Sequence, residues 1–174
     1  MKVKQLLLAF FLLLFINPSY SQAHKQYDDI DRDKVYLTWH KRSIKFTDIN
    51  EKSITDFLGK PLKIRRERSD HPNVSAITYT YPQGELNTEG GLTGFKITKP
   101  GWALSIKINN KLNGPYAVGG SAAPLKKLFP LSLKNSQLNN PTNLSLVIKK
   151  CDCGIAFILN GDKIKAIYFS TNDE

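Results

Sequence analysis

Two cysteines and three histidines are all that this chain of 174 residues offers to a soft metal. His24, His40 and His71 are scattered, and no pair falls at a zinc-ligand spacing on a helix. No metal site is therefore expected. The chain has no Walker A loop and no dinucleotide fingerprint, so no cofactor is expected either. Gly119-Gly120-Ser121-Ala122-Ala123 resembles a nucleophile elbow but lacks the final glycine of that turn. Ser121 suits the cap of a following helix better. Glu85 and Glu89 could be pictured as a glycosidase pair, but they read as loop carboxylates with nothing apolar beside them to raise a pKa. Acidic residues are in deficit, 15 against 25 Lys plus Arg, for a net charge of +10. Such a field favours anionic partners and says nothing about fold.

Long apolar runs are also missing, save one. Residues 6–16 are uninterruptedly apolar, follow Lys2 and Lys4, and are broken by Asn17-Pro18. Small residues then recur up to Ala23, as signal peptidase requires. The run is too short for a spanning helix, which needs about 20 residues. Residues 1–23 are expected to be a secretory signal peptide, leaving no transmembrane anchor after cleavage. An uncleaved N-terminal anchor is the rival reading. Removing Lys2 and Lys4 lowers the net charge from +10 to +8. The expected location is the periplasm or the exterior, with a bacterial source favoured. No cysteine lies near the cleavage region, so the chain is not a lipoprotein by sequence.

What remains has the composition of one ordinary domain. Residues 24–34 are polar, with Asp28, Asp29, Asp31 and Asp33 crowded together, and read as a mobile arm. They lack the glycine and the distal glutamate of a calcium loop. Residues 35–174 form the expected globular part. Residues 35–39 and 43–47 read as short strands. Ile54, Phe57 and Leu58 then share one helical face. Ser53 is expected to cap that helix, with Asp56 completing a capping box. Gly59 and Pro61 end it. Strand patterns follow at 62–65 and 74–81, then a turn at 82–84 and a supple loop at 85–91. Strand resumes at 95–98. Trp102, Leu104, Ile106 and Ile108 make a period-two stripe. After a loop at 109–115, Tyr116 and Val118 are strand-like. A second short helix spans 121–130, with Leu125, Leu128 and Phe129 as its apolar triplet. Residues 135–143 read as a polar loop. Strands at 144–148, 155–159 and 163–169 complete the chain, with Asn160-Gly161 as a hairpin signal.

The expected fold class is α+β: a mostly antiparallel sheet with two short helices packed on one face. Each member of the second helical triplet lies 71 residues after its counterpart in the first. A tandem repeat over 44–108 and 116–170 is one reading, and coincidence between two short amphipathic helices is the other. Phe57-Leu58-Gly59-Lys60-Pro61 resembles the helix-ending break of two families. One is the SmpA/OmlA-type module of outer-membrane assembly lipoproteins. The other is the tandem-repeat fold of secreted beta-lactamase inhibitor proteins. Leu128-Phe129-Pro130 matches that break less well. The resemblance implies a protein that binds proteins and catalyses nothing, and it transfers no functional residue. This chain departs from the first family in lacking a lipidation cysteine, and from the second in having one close cysteine pair.

Two features could carry function. Lys60, Lys63, Arg65, Arg66 and Arg68 are the densest basic run, and Lys41, Arg42 and Lys45 could extend it. They suit docking of an acidic protein or an anionic envelope polymer; a solvated sheet face is the plainer account. Nucleic acid is not an expected partner, because export removes the chain from most of it. Cys151-Asp152-Cys153 is the second feature. In an oxidising compartment the pair can close as a static clasp or cycle as a thiol-disulfide centre. The expected function is an exported, non-catalytic binding protein, possible forms being an inhibitor or immunity protein. The alternative is a thiol-disulfide redox protein using Cys151 and Cys153. No signal for oligomeric state is present.

Overall fold

The computed structural model describes residues 27–171; the expected signal peptide lies outside them. The chain is α+β and dominated by sheet. Its strands are β1 (Asp29–Ile30), β2 (Val35–Trp39) and β3 (Arg42–Lys45), then, after helix α1 (Glu51–Leu58), β4 (Lys63–Arg68), β5 (Ser75–Tyr81), β6 (Gly84–Glu89), β7 (Leu92–Ile97), β8 (Trp102–Ile108) and β9 (Lys111–Ala117). Helices α2 (Ala123–Leu128) and α3 (Pro130–Asn139) precede β10 (Asn143–Ile148), β11 (Cys153–Asn160) and β12 (Lys163–Thr171).

These strands form two sheets. The larger has eight in the order β1-β10-β11-β12-β7-β6-β5-β4, and the smaller has four in the order β3-β2-β8-β9. Every pairing is antiparallel except that of β1 with β10. The large sheet joins two meanders, β4 to β7 and β10 to β12, across the β7–β12 pair. The sheets meet through edge-to-face rings: Tyr81 on Trp102 at 5.1 Å, and Tyr116 on Phe157 at 6.1 Å. One continuous core holds Leu37, Leu104 and Ile106 from the small sheet with Leu86, Ile97 and Phe157 from the large. Each such side chain contributes roughly 1.5–3 kcal/mol by leaving water.

Alternation explains most strands. In β5, Ile77, Tyr79 and Tyr81 are buried while Ala76, Thr78 and Thr80 are only partly so. Trp102, Leu104 and Ile106 of the β8 stripe are buried as well and Ile108 is half-buried, while Ala103 and Ser105 opposite them are also buried. Those two side chains are small, and their neighbours shade them: Thr38 and Ala117 pair with Ala103, and Ser105 Oγ lies 3.1 Å from Thr38 Oγ1. The stripe is core, not a groove.

Several local expectations are revised. Asn50, not Ser53, caps α1: its side chain accepts from the Lys52 and Ser53 amides at 3.1 and 3.0 Å, and Ser53 Oγ accepts from the Asn50 amide at 2.8 Å. The capping box therefore lies three residues upstream of the expected one, because Asn is as good a cap as Ser. Residues 85–89, read as a loop, belong to β6, whose Leu86 and Thr88 face the core. Residues 135–139, read as loop, belong to α3, whose buried side chains Ser132, Asn135 and Ser136 are polar and gave no apolar periodicity. Among the described residues there are thus three α-helices where two were expected. The loop at 109–115 is a turn plus β9. Asn109 and Asn110 both take positive φ, as the two-residue hairpin between β8 and β9 needs.

The arm is also docked where it is described. Ile30 is buried, and the Arg32 guanidinium lies 5.7 Å from the Phe169 ring and donates to the Leu92 carbonyl. Asp28 exchanges two hydrogen bonds of 2.9 Å with Ser132 on α3. Crowded aspartates were a misleading sign of mobility here, because Ile30 supplies the anchor.

Candidate functional site

The large sheet turns one face to the core and the other to solvent. Register aligns the outward side chains in two rows that cross the sheet. One row runs through Ser145, Ala156 and Tyr168, then Lys96, Glu85, Thr80 and Lys63. The next runs through Val147, Gly154 and Ser170, then Gly94, Asn87, Thr78 and Arg65. Lys96, Glu85, Asn87, Ser170, Lys63 and Arg65 are exposed. Two open depressions, of about 340 and 460 Å³, lie on this face, and Tyr168 and Ser170 line both. They form because Gly154, Ser170 and Gly94 are small where three central strands meet. The Lys96 ammonium lies 5.7 Å from the centre of the Tyr168 ring, a cation–π contact.

The basic run lies at one end of these rows. Lys60 is in the turn after α1, and the other four residues lie on β4, all exposed. β4 is one of the two edge strands of the large sheet, paired only with β5. Period two divides its charges between two faces. Lys63 and Arg65 face outward with the rows, and Arg66 and Arg68 lie on the other side with Ile64. The Arg65 guanidinium sits 3.2 Å from Glu67, and Arg66 is held by Glu51 in the first turn of α1. Contact with that carboxylate pushes the Arg66 pKa further up. The run is thus a two-sided edge rather than a single flat patch. Arg42, on β3, lies over the Phe57 ring at 5.2 Å, so it shares α1 as a neighbour with Arg66. Among the described residues no ion pair joins Lys41 or Lys45 to β4.

Cys151 and Cys153 are joined in a disulfide across the turn between β10 and β11, with Cα atoms 5.3 Å apart. Lys150 takes a positive φ to make that turn. Cys153 is buried and Cys151 half-buried. Lys149 Nζ lies 3.8 Å from Asp29 and 3.7 Å from Asp31, so one of the lysines beside the disulfide serves the docked arm.

Glu85 and Glu89 lie on β6. Glu85 stands between Lys96 and Thr80, and Glu89 accepts from the Ser69 hydroxyl. His40 is in the β2–β3 turn against the Trp39 ring, and His71 is exposed in a loop. Among the described residues no group of three or more His, Cys, Asp or Glu side chains could hold a metal ion. His24 lies outside them.

Sequence reasoning passed over Tyr168, Lys96 and Asn87 as surface candidates. The alternation in β12 places Tyr168 between the buried Ile167 and Phe169, which was the available signal. Their convergence depends on the β7–β12 pairing, which joins segments about 70 residues apart and leaves no local trace. No protein-family model matches the chain, and no characterised protein or solved structure matches it.

Proposed function

We propose that this chain is an exported, non-catalytic binding protein that engages a protein or an anionic envelope component through the outward face of its large sheet and the basic edge at β4. One observation carries the reading. The two outward rows run from the Tyr168 depressions to Lys63 and Arg65 with solvent-exposed side chains along them. A broad, rigid, partly concave face ending in positive charge suits recognition of a large anionic partner. An inhibitor or immunity protein acting on a toxin or hydrolase is one concrete form.

Capture from the envelope fraction of the source cell tests it. The chain is expected to retain a partner that Lys63→Glu with Arg65→Glu releases, at an unchanged unfolding midpoint. Full retention by that variant, together with Tyr168→Ala, removes the face and the edge from consideration.

A further inference from the structure

We propose that β4 accepts an acidic, extended polypeptide segment as a ninth strand of the large sheet. The proposal rests on the binding reading above and names its partner class.

Four strands lie at sheet edges: β1, β3, β4 and β9. β1 has two residues and β3 has four. β9 contains Gly114 and Pro115, and proline has no N–H to donate. β4 has six residues, contains neither glycine nor proline, and is exposed along its whole length. Among the described residues its far side has no strand beside it, so one row of backbone N–H and C=O groups is open for pairing.

Charge selects what can pair there. Lys63 and Arg65 project on one face, Arg66 and Arg68 on the other, with Glu67 the only acidic residue. Among the described residues no carboxylate pairs with Lys60, Lys63 or Arg68. A second copy of this strand would set lysines and arginines opposite one another, which is destabilising. Carboxylates at alternate positions of an incoming strand share one face, and they would meet either Lys63 and Arg65 or Arg66 and Arg68 according to the register. Charged edge strands also serve simply to prevent aggregation. That account does not explain Leu62 and Ile64, which are 71% and 47% exposed at the start of the strand. The fitting partner therefore carries an apolar residue near that end and acidic residues beyond it.

The test titrates the folded chain with peptides of about eight residues, a typical strand length, in which Asp or Glu alternates with Val, Ile or Thr. Dextran sulfate serves as an anionic polymer without amide groups. Binding is read by calorimetry, and amide exchange is read along β4. At least one peptide is expected to slow exchange at alternate amides of β4 by roughly tenfold or more. An incoming strand pairs through every second residue. N-methylation of one alternate set of peptide amides should therefore weaken binding about tenfold, and the other set should have little effect. Lys63→Glu with Arg68→Glu should weaken it by a similar factor, at an unchanged unfolding midpoint.

Failure of every peptide to bind overturns the proposal, as does binding without slowed exchange in β4 or equal tolerance of both N-methylated sets. If dextran sulfate then binds and the charge reversals abolish it, strand addition is wrong while the binding reading stands. If the charge reversals also leave envelope capture intact, the basic edge fails in both.

Discussion

Tyr81 meets Trp102 edge to face at 5.1 Å, while its hydroxyl donates to the Gly59 carbonyl at 3.1 Å. One residue thus joins the two sheets and also satisfies a backbone acceptor just past α1. The same α1 holds Arg66 of β4 through Glu51. The basic edge is positioned by the core through a helix of eight residues.

Alkaline titration should expose this contact. Burial pushes the Tyr81 hydroxyl from 10.0 up to about 12, and burial raises Tyr79 and Tyr116 in the same direction. The unfolded chain releases the Tyr81 proton near pH 10, and the folded chain holds it until about 12. The contribution is complete below pH 10 and is lost as pH rises toward 12, by about 2 kcal/mol for Tyr81. Denaturant titrations across this range should show falling stability. Tyr81→Phe should flatten that fall and cost about 1 kcal/mol at neutral pH through the lost hydrogen bond. An unchanged pH slope in Tyr81→Phe would assign the fall to other groups.

Gly84 opens β6 with φ of 158°, and a Cβ there would lie 1.9 Å from the Lys96 carbonyl oxygen. Backbone cannot yield as a flexible side chain can. Gly84→Ala should destabilise the chain by about 2–4 kcal/mol, read from the urea midpoint. Gly119→Ala is the comparison: at its φ of 85° an alanine costs about 1–2 kcal/mol of backbone strain, but nothing lies within 4 Å of the added Cβ. A smaller loss at Gly84 than at Gly119 would contradict the packing described.

Asn50 supplies the cap of α1 and accepts two amide hydrogen bonds. Asn50→Ala should cost about 1 kcal/mol. Because α1 holds Arg66, the same change should quicken amide exchange in β4. Circular dichroism melts and exchange rates at residues 63–68 check the two effects, and normal β4 exchange in a destabilised Asn50→Ala chain would uncouple helix from edge.

The Cys151–Cys153 bond closes no long loop. A ring of three residues removes little unfolded-state entropy, so reduction or Cys151→Ser with Cys153→Ser should cost no more than about 1–2 kcal/mol. Envelope capture should be unaffected. If the thiol form loses the partner or passes electrons to a substrate disulfide, the redox reading replaces the clasp.

Periodicity alone determined most of the strands and the buried face of α1. Ile54, Phe57 and Leu58, the β5 alternation and the β8 stripe each bury what their spacing says they must, because period two and period 3.6 are properties of neighbouring residues. The basic run was equally legible as composition. Tertiary structure decided the rest. The polar side chains of α3 become buried through contacts its own sequence does not announce. Whether Lys63, Arg65, Arg66 and Arg68 form a patch or an edge depends on β4 having a partner on one side only. Tyr168 and Lys96 meet because β12 pairs with β7. Pairing between distant segments is set by which surfaces the folded chain must hide from water, and no local pattern records it.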